Sequence, residues 1–342
     1  MSRRRVLITG ATGLVGSHVA RLLAADGAYE VRATRRPSSS TELLGAAAGA
    51  IDWVTGDLLD PDVQDEALGG VEAVVHAAGL VSYRPEDAAA LRVVNVGITR
   101  DLVNGALAHG VGQFVHVSSI AAISPSDALA AVDESDRGFA ADASTTRYAR
   151  SKYDAELEVW RGSEEGLPVT ILNPSVVLGA GRWSSGSCRL FPWVDAGRRF
   201  YPPGSTGYVD VRDVAAFAKT SLTAPLTGER FVLNAANLPY REFFGAVAEA
   251  LGVAAPTIEV GPWQAELAWR AEAARARLTG ASPLLTKESA RRALTQKRYD
   301  STRSLAAGAR YRPVHDTIAE TARAYRLTSA RGFGVLPLDP EV

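Results

Sequence analysis

Three glycines spaced three residues apart follow a short apolar run at the start of the chain. Residues 6–9 are apolar or β-branched, as expected of a buried parallel strand, and Gly10, Gly13 and Gly16 come next. Residues 14–25 then place their apolar side chains on one side of a helix. In such a unit one glycine makes the tight turn, one admits a pyrophosphate to the backbone, and one lets the helix pack against the strand. The segment therefore predicts a dinucleotide site, with a glycine-lined turn that binds nothing as the alternative.

Strand and helix patterns alternate as far as residue 172, which is typical of an α/β fold whose parallel sheet has helices on both faces. The predicted strands cover residues 6–9, 29–34, 51–54, 73–76, 114–117 and 169–172. Ligands of such sheets gather at the carboxyl ends of the strands. Four residues of interest fall at those ends: Gly10, Asp57, Gly79 and Ser119. We therefore predict a Rossmann-type, doubly wound parallel sheet.

The composition of the sequence changes after residue 174, where Gly, Ser and aromatic residues become frequent. Later segments have mostly helical patterns. We assign residues 1–175, with 208–235 returning, to a dinucleotide-binding domain. Residues 176–207 and 236–330 would then form a smaller, mostly helical substrate-binding region.

The residues after the second predicted strand indicate which dinucleotide binds. An acidic residue there would bind the adenosine ribose 2′-hydroxyl and repel a 2′-phosphate. The chain instead has Arg35 and Arg36, followed by serines, which suit a phosphate. We therefore predict NADP(H) in preference to NAD(H), unless one or both arginines only face water. Asp57 would meet the adenine edge, or else act as a turn or helix-capping residue.

Tyr148 and Lys152 stand four residues apart on a predicted helix, so their side chains share one face. A lysine ammonium there would favour ionisation of the phenol, whose free pKa is about 10. A phenol tuned in this way can transfer a proton near neutral pH. Such pairs also occur by chance on solvated helices, so the pair gains its meaning from the glycine turn before it.

Together these motifs resemble the extended class of the short-chain dehydrogenase/reductase superfamily, the NAD-dependent epimerase/dehydratase type. The resemblance covers residues 5 to about 235 well and continues more loosely to about 325. Its landmarks are Thr-Gly-x-x-Gly-x-x-Gly at 9–16, Gly56-Asp57-Leu58, His76-Ala77-Ala78-Gly79, Asn95, Ser118-Ser119, Tyr148-x-x-x-Lys152, Asn173-Pro174 and Tyr208-Val209-Asp210.

The resemblance implies a role for each catalytic candidate. Tyr148 would donate a proton to a carbonyl, or accept one from an alcohol, and Lys152 would lower its pKa and hold the nicotinamide ribose. Ser119, with Ser118 as the alternative, would hydrogen-bond the substrate oxygen. Asn95 would hold a water of a proton relay, or else make a structural hydrogen bond.

The predicted cofactor contacts are Thr9, Gly10, Thr12, Gly13, Leu14, Val15, Gly16, Arg35, Arg36, Asp57, Leu58, Ala77, Ala78, Gly79, Tyr148, Lys152, Asn173, Pro174 and Val176. The predicted substrate contacts are Val81, Ser119, Tyr148, Trp183 and Tyr208.

The residues directly after Ser119 reduce the number of candidate reactions. Dehydratases of this type have Asp-Glu there, whereas this chain has Ile120-Ala121, and epimerases usually have Tyr-Gly where it has Ile123-Ser124. Residues 31–34, with Arg36 close behind, look like the dihydroflavonol reductase and ketoreductase branch, which favours NADPH. We therefore predict an NADPH-dependent reductase of a ketone or aldehyde. The alternatives are a sugar-nucleotide epimerase and a non-catalytic NADP-binding regulatory protein.

The segment 179–207 is expected to wall the substrate site. Its aromatic residues suit an apolar carbonyl compound, unless they are a local packing cluster. Its four arginines could instead clamp a diphosphate or simply face solvent: Arg182, Arg189, Arg198 and Arg199.

The charge balance excludes two classes of partner. With 37 basic and 38 acidic residues the net charge is -1, which gives no field to attract nucleic acid or an anionic membrane. No apolar run approaches the ~20 residues of a membrane helix. The single cysteine, Cys188, excludes an internal disulfide and a cysteine-based zinc site, and the histidines lack a metal-ligand spacing. We expect a cytoplasmic, metal-free protein with a small-molecule carbonyl or alcohol substrate. The resemblance suggests a homodimer through the helices near 86–108 and 147–161.

Overall fold

The computed structural model describes residues 3–123, 131–136, 146–224, 226–279 and 287–338. Its strands, in chain order, are β1 Arg4–Thr9, β2 Tyr29–Arg35, β3 Asp52–Thr55, β4 Ala73–His76, β5 Gln113–Val117, β6 Val169–Pro174, β7 Val176–Leu178, β8 Phe200–Tyr201, β9 Ser205–Asp210, β10 Glu229–Leu233, β11 Ala236–Pro239 and β12 Ile258–Glu259. Its α-helices are α1 Leu14–Ala25, α2 Pro61–Leu68, α3 Ala88–Leu91, α4 Ile98–Ala108, α5 Arg147–Glu164, α6 Leu190–Asp195, α7 Val211–Thr220, α8 Tyr240–Leu251, α9 Pro262–Thr279, α10 Lys287–Ala293, α11 Thr302–Ala306 and α12 Val314–Thr328.

Seven parallel strands form the main sheet, in the order β10-β6-β5-β4-β1-β2-β3. The chain runs outward from β1 to β3 and then returns to β4 on the other side of β1. The direction of winding therefore reverses between β1 and β4. At such a point the connections after neighbouring strands diverge and leave a crevice at their carboxyl ends. The predicted doubly wound α/β fold is confirmed.

Both faces of this sheet are covered at its centre, so β4, β5 and β6 are buried throughout, whereas β2, farther out, mixes buried and half-buried residues. Val19 of α1 and Phe217 of α7 belong to the cluster on one face. Leu102 of α4 and Val159 of α5 belong to the cluster on the other. Full burial of such a side chain stabilises the folded chain by about 1.5–3 kcal/mol relative to exposure, so these helices hold the strand ends in fixed positions.

A second, three-stranded sheet begins directly after β6, with the order β11-β9-β7. The sequence predicted a mostly helical region here and missed this sheet, because a three-residue run such as β7 has no detectable period. β9 belongs to the small sheet, although the sequence placed residues 208–210 with the returning dinucleotide domain. β10, from the same returning segment, pairs with β6 in the large sheet.

The helix expected near 86–108 consists of three pieces in the structure. α3 and α4 are joined by a π-helical turn, Arg92–Gly97, that contains Asn95. Such turns insert one residue into a helix and are frequent at functional sites. Among the residues that the structure describes, no helix has the length and apolar character that crossing a membrane requires.

Candidate active site

The glycine turn is so tightly packed that only glycine fits at two of its three positions. Gly10 has φ of 71°, and a Cβ placed there would lie 2.6 Å from the Ala78 amide nitrogen. A Cβ at Gly16 would lie 2.2 Å from the Gly10 carbonyl oxygen. The exit of β4 therefore touches the turn after β1, and α1 rests directly on that turn. Gly13 differs, because it is exposed and its Cβ would lie 3.2 Å from the Gly10 oxygen.

The N-terminus of α1 suits an anion. No side chain caps the helix at Gly13, and its first turn contains no acidic residue. Unsatisfied helix N–H groups carry a partial positive charge, so the pyrophosphate of a dinucleotide fits them. Thr12 and Leu14 flank this position and are half-buried.

Thr9 and His76 form a buried hydrogen-bonded chain beneath the turn. The Ala78 amide donates to Thr9 Oγ1 at 3.3 Å, and Thr9 Oγ1 lies 2.7 Å from His76 Nδ1. His76 Nε2 lies 2.9 Å from Thr99 Oγ1, which donates to the Asn95 carbonyl at 2.6 Å. Each hydroxyl has one proton to give, so His76 Nδ1 accepts and Nε2–H donates. Burial, with a smaller effect of Lys152, lowers the pKa of His76 to about 3, so the imidazole is neutral.

The two arginines after β2 have different surroundings. Arg35 stacks its guanidinium 5.0 Å from the Trp53 ring centroid and donates to Thr55 Oγ1 at 3.2 Å. Arg36 is exposed. Arg35 is therefore held against β3, and Arg36 is the arginine whose side chain extends into solvent beside the turn.

Arg182 connects the glycine turn to the segment after β2. Its guanidinium donates to the Thr12 carbonyl at 2.8 Å and to the Ser40 carbonyl at 2.9 Å. Its Nε lies 3.6 Å from Glu42 Oε1. The sequence allowed a diphosphate clamp or a solvated face for this residue. The structure shows a third arrangement, in which Arg182 holds two neighbouring loops together.

Asp57 closes a turn and does not cap a helix. Its Oδ1 accepts from the Leu59 amide at 3.0 Å, whereas Asp60 caps α2 by accepting from the Asp62 amide at 3.0 Å. Asp57 is exposed and Leu58 beside it is buried. A turn aspartate was one alternative that the sequence allowed, and its exposure also leaves the adenine contact open as a prediction.

Tyr148 and Lys152 lie on the buried face of α5. The helix begins after Thr146, whose Oγ1 accepts from the Ala149 amide at 2.9 Å. Lys152 Nζ donates to the Val117 carbonyl, at the exit of β5, at 3.0 Å. Burial lowers the pKa of Lys152 to about 8, and the charge of Glu156 opposes this. An ammonium is thus fixed one helical turn from the phenol, at the sheet edge that carries the glycine turn.

The two serines after β5 are not equivalent. Ser118 is buried, and its hydroxyl donates to Glu156 Oε1. Ser119 is half-buried, and its Oγ accepts from the Ala121 amide at 3.1 Å, which leaves its own proton to donate. Ser119 is therefore the serine positioned for a ligand, and its substrate contact stays a prediction.

Asn95 is engaged in structural hydrogen bonds. Its Oδ1 accepts from the Leu80 amide at 2.7 Å, and its Nδ2 donates to the Leu80 carbonyl and to Ser151 Oγ, both at 2.9 Å. These contacts tie the segment after β4 to α5. They correspond to the structural role that the sequence allowed beside a proton relay.

The other predicted contacts separate into two groups. Val81 is 58% exposed and follows the Ala77-Ala78-Gly79 exit of β4. Asn173 and Pro174 are buried at the exit of β6, and Val176 is half-buried beside them.

Trp183 and Tyr208 lie instead in the core of the substrate-binding region. The Trp183 ring meets Tyr325 edge-on at 5.2 Å, and the Tyr208 ring stacks on Phe243 at 4.4 Å. Both side chains are packed against protein, with 4% and 1% of their surface exposed. Neither side chain therefore supports a substrate contact.

Two residues near the tyrosine were missed in the sequence. The Tyr83 ring meets the Tyr148 ring edge-on, with centroids 5.7 Å apart, and no sequence pattern indicated that contact. Glu156 is fully buried beneath Lys152. Its position four residues after Lys152 was a signal that could have been used, because it continues the same helix face.

The glycine turn and the Tyr148–Lys152 pair share one sheet edge, an arrangement typical of α/β enzymes that use a dinucleotide on alcohol or carbonyl groups. The model of the NAD dependent epimerase/dehydratase family matches residues 6–233. The chain belongs to this family, which is the extended class of the short-chain dehydrogenase/reductase superfamily.

Named relatives and a solved structure agree with this family. A Synechocystis sp. protein, provisionally named as a dihydroflavonol 4-reductase, is 31% identical over 313 residues, 87% of each chain. Sterol demethylase protein B of Methylococcus capsulatus is 31% identical over 263 residues, 75% of this chain and 77% of its own. The crystal structure of gox2253 superposes with a TM-score of 0.78 at 29% identity and covers 95% of this chain and 98% of that one.

Proposed function

We propose that this chain is an NADPH-dependent reductase of a ketone or aldehyde, in which Tyr148 donates the proton. The observation that carries the proposal is the placement of Tyr148 and Lys152 on the buried face of α5, at the same strand ends as the glycine turn. Reduction of a carbonyl needs a proton donor beside the bound cofactor, and this placement supplies one.

The cofactor and three side chains at the strand ends would each perform one part of the reaction. The bound nicotinamide cofactor supplies the hydride. Tyr148 gives its phenolic proton to the carbonyl oxygen as charge develops there. Lys152, fixed by the Val117 carbonyl, stabilises the resulting phenolate, which then takes up a proton from solvent. The Ser119 hydroxyl donates to the same substrate oxygen and holds it in place.

Cofactor binding would use the backbone around Gly13 for the pyrophosphate and Arg36 for the 2′-phosphate. The uncapped first turn of α1 supports the first assignment. The second is supported by the exposure of Arg36, since Arg35 is already stacked on Trp53. A guanidinium binds a phosphate through paired, charge-assisted hydrogen bonds, which a ribose hydroxyl cannot match.

The substrate proposed is a largely apolar, multi-ring carbonyl compound. Tyr148 packs in a small apolar cluster with Leu91 and Ala121, and Leu80 and Tyr83 border it. An apolar wall with few fixed polar groups suits a compound of this class. The names of two relatives, a dihydroflavonol reductase and a sterol demethylase component, refer to multi-ring compounds and support the same choice.

The test is a panel of carbonyl compounds followed by NADPH absorbance. It includes flavonoid ketones, 3-ketosteroids and simple aldehydes, with UDP-glucose and UDP-galactose as rival substrates. We expect turnover of at least one multi-ring ketone. The Tyr148→Phe variant should lose at least ~10²-fold in turnover and keep near-normal NADPH affinity, because only the proton donor is removed. Interconversion of the two UDP-sugars without carbonyl reduction would overturn the proposal in favour of an epimerase.

A homodimer through α4 and α5 is also proposed. Apolar side chains remain exposed on α5 and on the π-helical turn before α4, among them Leu157 at 47% and Val93 at 49%. Such side chains are typical of an interface centre when they cluster. Light scattering coupled to size-exclusion chromatography should give twice the chain mass, and Leu157→Glu should give the monomer mass.

A further inference from the structure

Glu156 is fully buried one helical turn beyond Lys152 and joins three strands to α5. The Ser118 hydroxyl, at the exit of β5, donates to its Oε1. The Asn173 Nδ2, at the exit of β6, donates to the same oxygen at 2.6 Å. On β10, Arg230 places a guanidinium nitrogen 3.5 Å from Oε2. A single carboxylate thus holds the helix that carries the tyrosine and the lysine.

The contacts of Glu156 are those of an anion. The Asn173 Nδ2 also donates to the Ser119 carbonyl at 3.0 Å, so the amide cannot be turned to offer Glu156 its oxygen. Arg230 can only donate. An ionised carboxylate accepts at both oxygens, and this matches the donors around it.

We propose that Glu156 is a positioning residue of this site, one that clamps α5 to the ends of β5 and β6 and keeps Lys152 in its ammonium form. The proposal rests on the proposed function only in that Lys152 acts on the reacting phenol. The clamp also fixes Ser119, because Asn173 bridges the Glu156 carboxylate and the Ser119 backbone. Loss of Glu156 would therefore loosen Tyr148, Lys152 and Ser119 together.

The charges around Lys152 explain why a buried carboxylate is needed to keep its amine in the ammonium form. Burial lowers the pKa of Lys152, and Glu156 raises it. On β4 and β5, His76 and His116 face the amine as neutral rings, since burial lowers the pKa of both and Lys152 lowers each further. Neither histidine offers negative charge, so the counter-charge comes from the helix itself.

Other charged groups face Glu156 on its far side. Arg230 also donates to the Glu134 and Asp136 carbonyls, at 3.0 Å and 2.6 Å, so it is held there by backbone oxygens. The pKa of Glu156 is raised by burial, although Ser118, Arg230, Asn173 and Lys152 each act to lower it. Burial likewise raises the pKa of Glu134, whose Oε1 accepts from the Val232 amide.

The test measures the ionisation of Lys152 directly, without turnover. The chain has only four lysines, so NMR of ¹³C,¹⁵N-lysine-labelled protein, assigned with Lys152→Met, can follow each side chain through a pH titration. We expect Lys152 to titrate near pH 8 in the wild type. In Glu156→Gln it should titrate about 1 unit lower or more, the usual scale for losing a nearby opposite charge. The basic limb of the pH–turnover profile should move with it.

Two further variants separate charge from geometry. Glu156→Asp keeps the charge but shortens its reach, so Lys152 should titrate as in the wild type while turnover falls by ~10-fold or more. Glu158→Gln, on the same helix but paired with Arg161, is the matched control and should change neither quantity.

The outcomes are decisive in each case. Unchanged Lys152 titration in folded Glu156→Gln overturns the proposal, even where the wild type reduces carbonyls as expected. A shifted Lys152 titration in Glu156→Gln, combined with a wild type that reduces none of the carbonyl compounds, supports the clamp and rejects the reductase. If Glu156→Gln does not fold, Glu156→Asp decides, because wild-type turnover in that variant overturns the clamp.

Discussion

Gly13 and Gly16 are three residues apart in the segment proposed to bind the pyrophosphate, but their surroundings in the structure differ. Gly16 lets α1 rest on the turn, since a Cβ there would lie 2.2 Å from the Gly10 oxygen. Gly13 is exposed and has φ of -90° and ψ of 177°, a conformation open to any residue. Substitution of each by alanine should therefore separate packing from ligand approach.

Gly16→Ala should lower the free energy of unfolding because the new Cβ would overlap the Gly10 carbonyl oxygen. The new Cβ would stand 0.8 Å inside the 3.0 Å limit that real Cβ atoms keep, against a backbone oxygen that cannot rotate away. Overpacking of this kind typically costs about 1–3 kcal/mol, and alanine returns up to about 1 kcal/mol of helix propensity. A net loss of about 1–2 kcal/mol should lower Tm by about 1.5–3 °C in a chain of this size. NADPH affinity should also fall, because α1 is pushed off the turn.

Gly13→Ala should weaken NADPH binding and leave the stability of the fold nearly unchanged. Its Cβ would lie 3.2 Å from the Gly10 oxygen, which requires only a small adjustment, so the free energy of unfolding should stay within about 0.5 kcal/mol. The methyl group would instead occupy the space that a pyrophosphate needs. Losing one charge-assisted hydrogen bond costs about 1.5–3 kcal/mol, which is about 10- to 100-fold in Kd.

The assay pairs thermal unfolding with titration of NADPH fluorescence for the two variants and the wild type. We expect Gly13→Ala to have the wild-type Tm and a reduced NADPH affinity. Gly16→Ala should have both a lower Tm and a reduced NADPH affinity. Normal NADPH binding by Gly13→Ala would refute the phosphate site at the start of α1. A normal Tm for Gly16→Ala would refute the close packing of helix and turn.

Two further predictions concern the cofactor and the pH dependence of stability. Arg36→Ala should weaken NADPH binding far more than NADH binding, because only NADPH has the 2′-phosphate, and an equal loss for both would point to NAD; titration of each nucleotide measures this. His18 donates from Nδ1 to the Leu14 carbonyl at 2.9 Å, and burial lowers its pKa to about 4. The unfolded chain therefore binds a proton between pH 6.5 and 4 that the folded chain cannot, so wild-type Tm should fall with pH across that window. His18→Asn keeps a donor for the Leu14 carbonyl, and its Tm should fall less than the wild-type Tm between pH 6.5 and 4. Identical Tm–pH curves for the two proteins would contradict this role of His18.

The sequence predicted most of the large sheet because its central strands, such as β1 and β4, contain short runs of mostly apolar residues followed by turn residues. The bounds of α1 and β4 in the structure, Leu14–Ala25 and Ala73–His76, match the predicted ones. The small sheet was missed, since β7 and β11 are three and four residues long and pair only through tertiary contacts. Periodicity needs a longer run than these strands provide.

The candidate site was predicted in its residue types but not in its contacts. Spacing alone brought Tyr148 and Lys152 to one helix face. Only the packed structure distinguishes the two serines, because Ser118 faces the buried Glu156 and Ser119 does not. The assignment of Trp183 to the substrate wall depended on composition, and composition cannot tell an exposed aromatic residue from a core one.

Local sequence thus determined the glycine turn, the Tyr148–Lys152 pair and the individual strands, since each arises from residues that are close together along the chain. Contacts between distant segments were decided only on folding. Glu156 lies 17 residues from Asn173 and 74 from Arg230, and Arg182 lies 170 from Thr12. No local pattern records which far-off donor a buried carboxylate or guanidinium will meet, because that depends on how helices and strands pack.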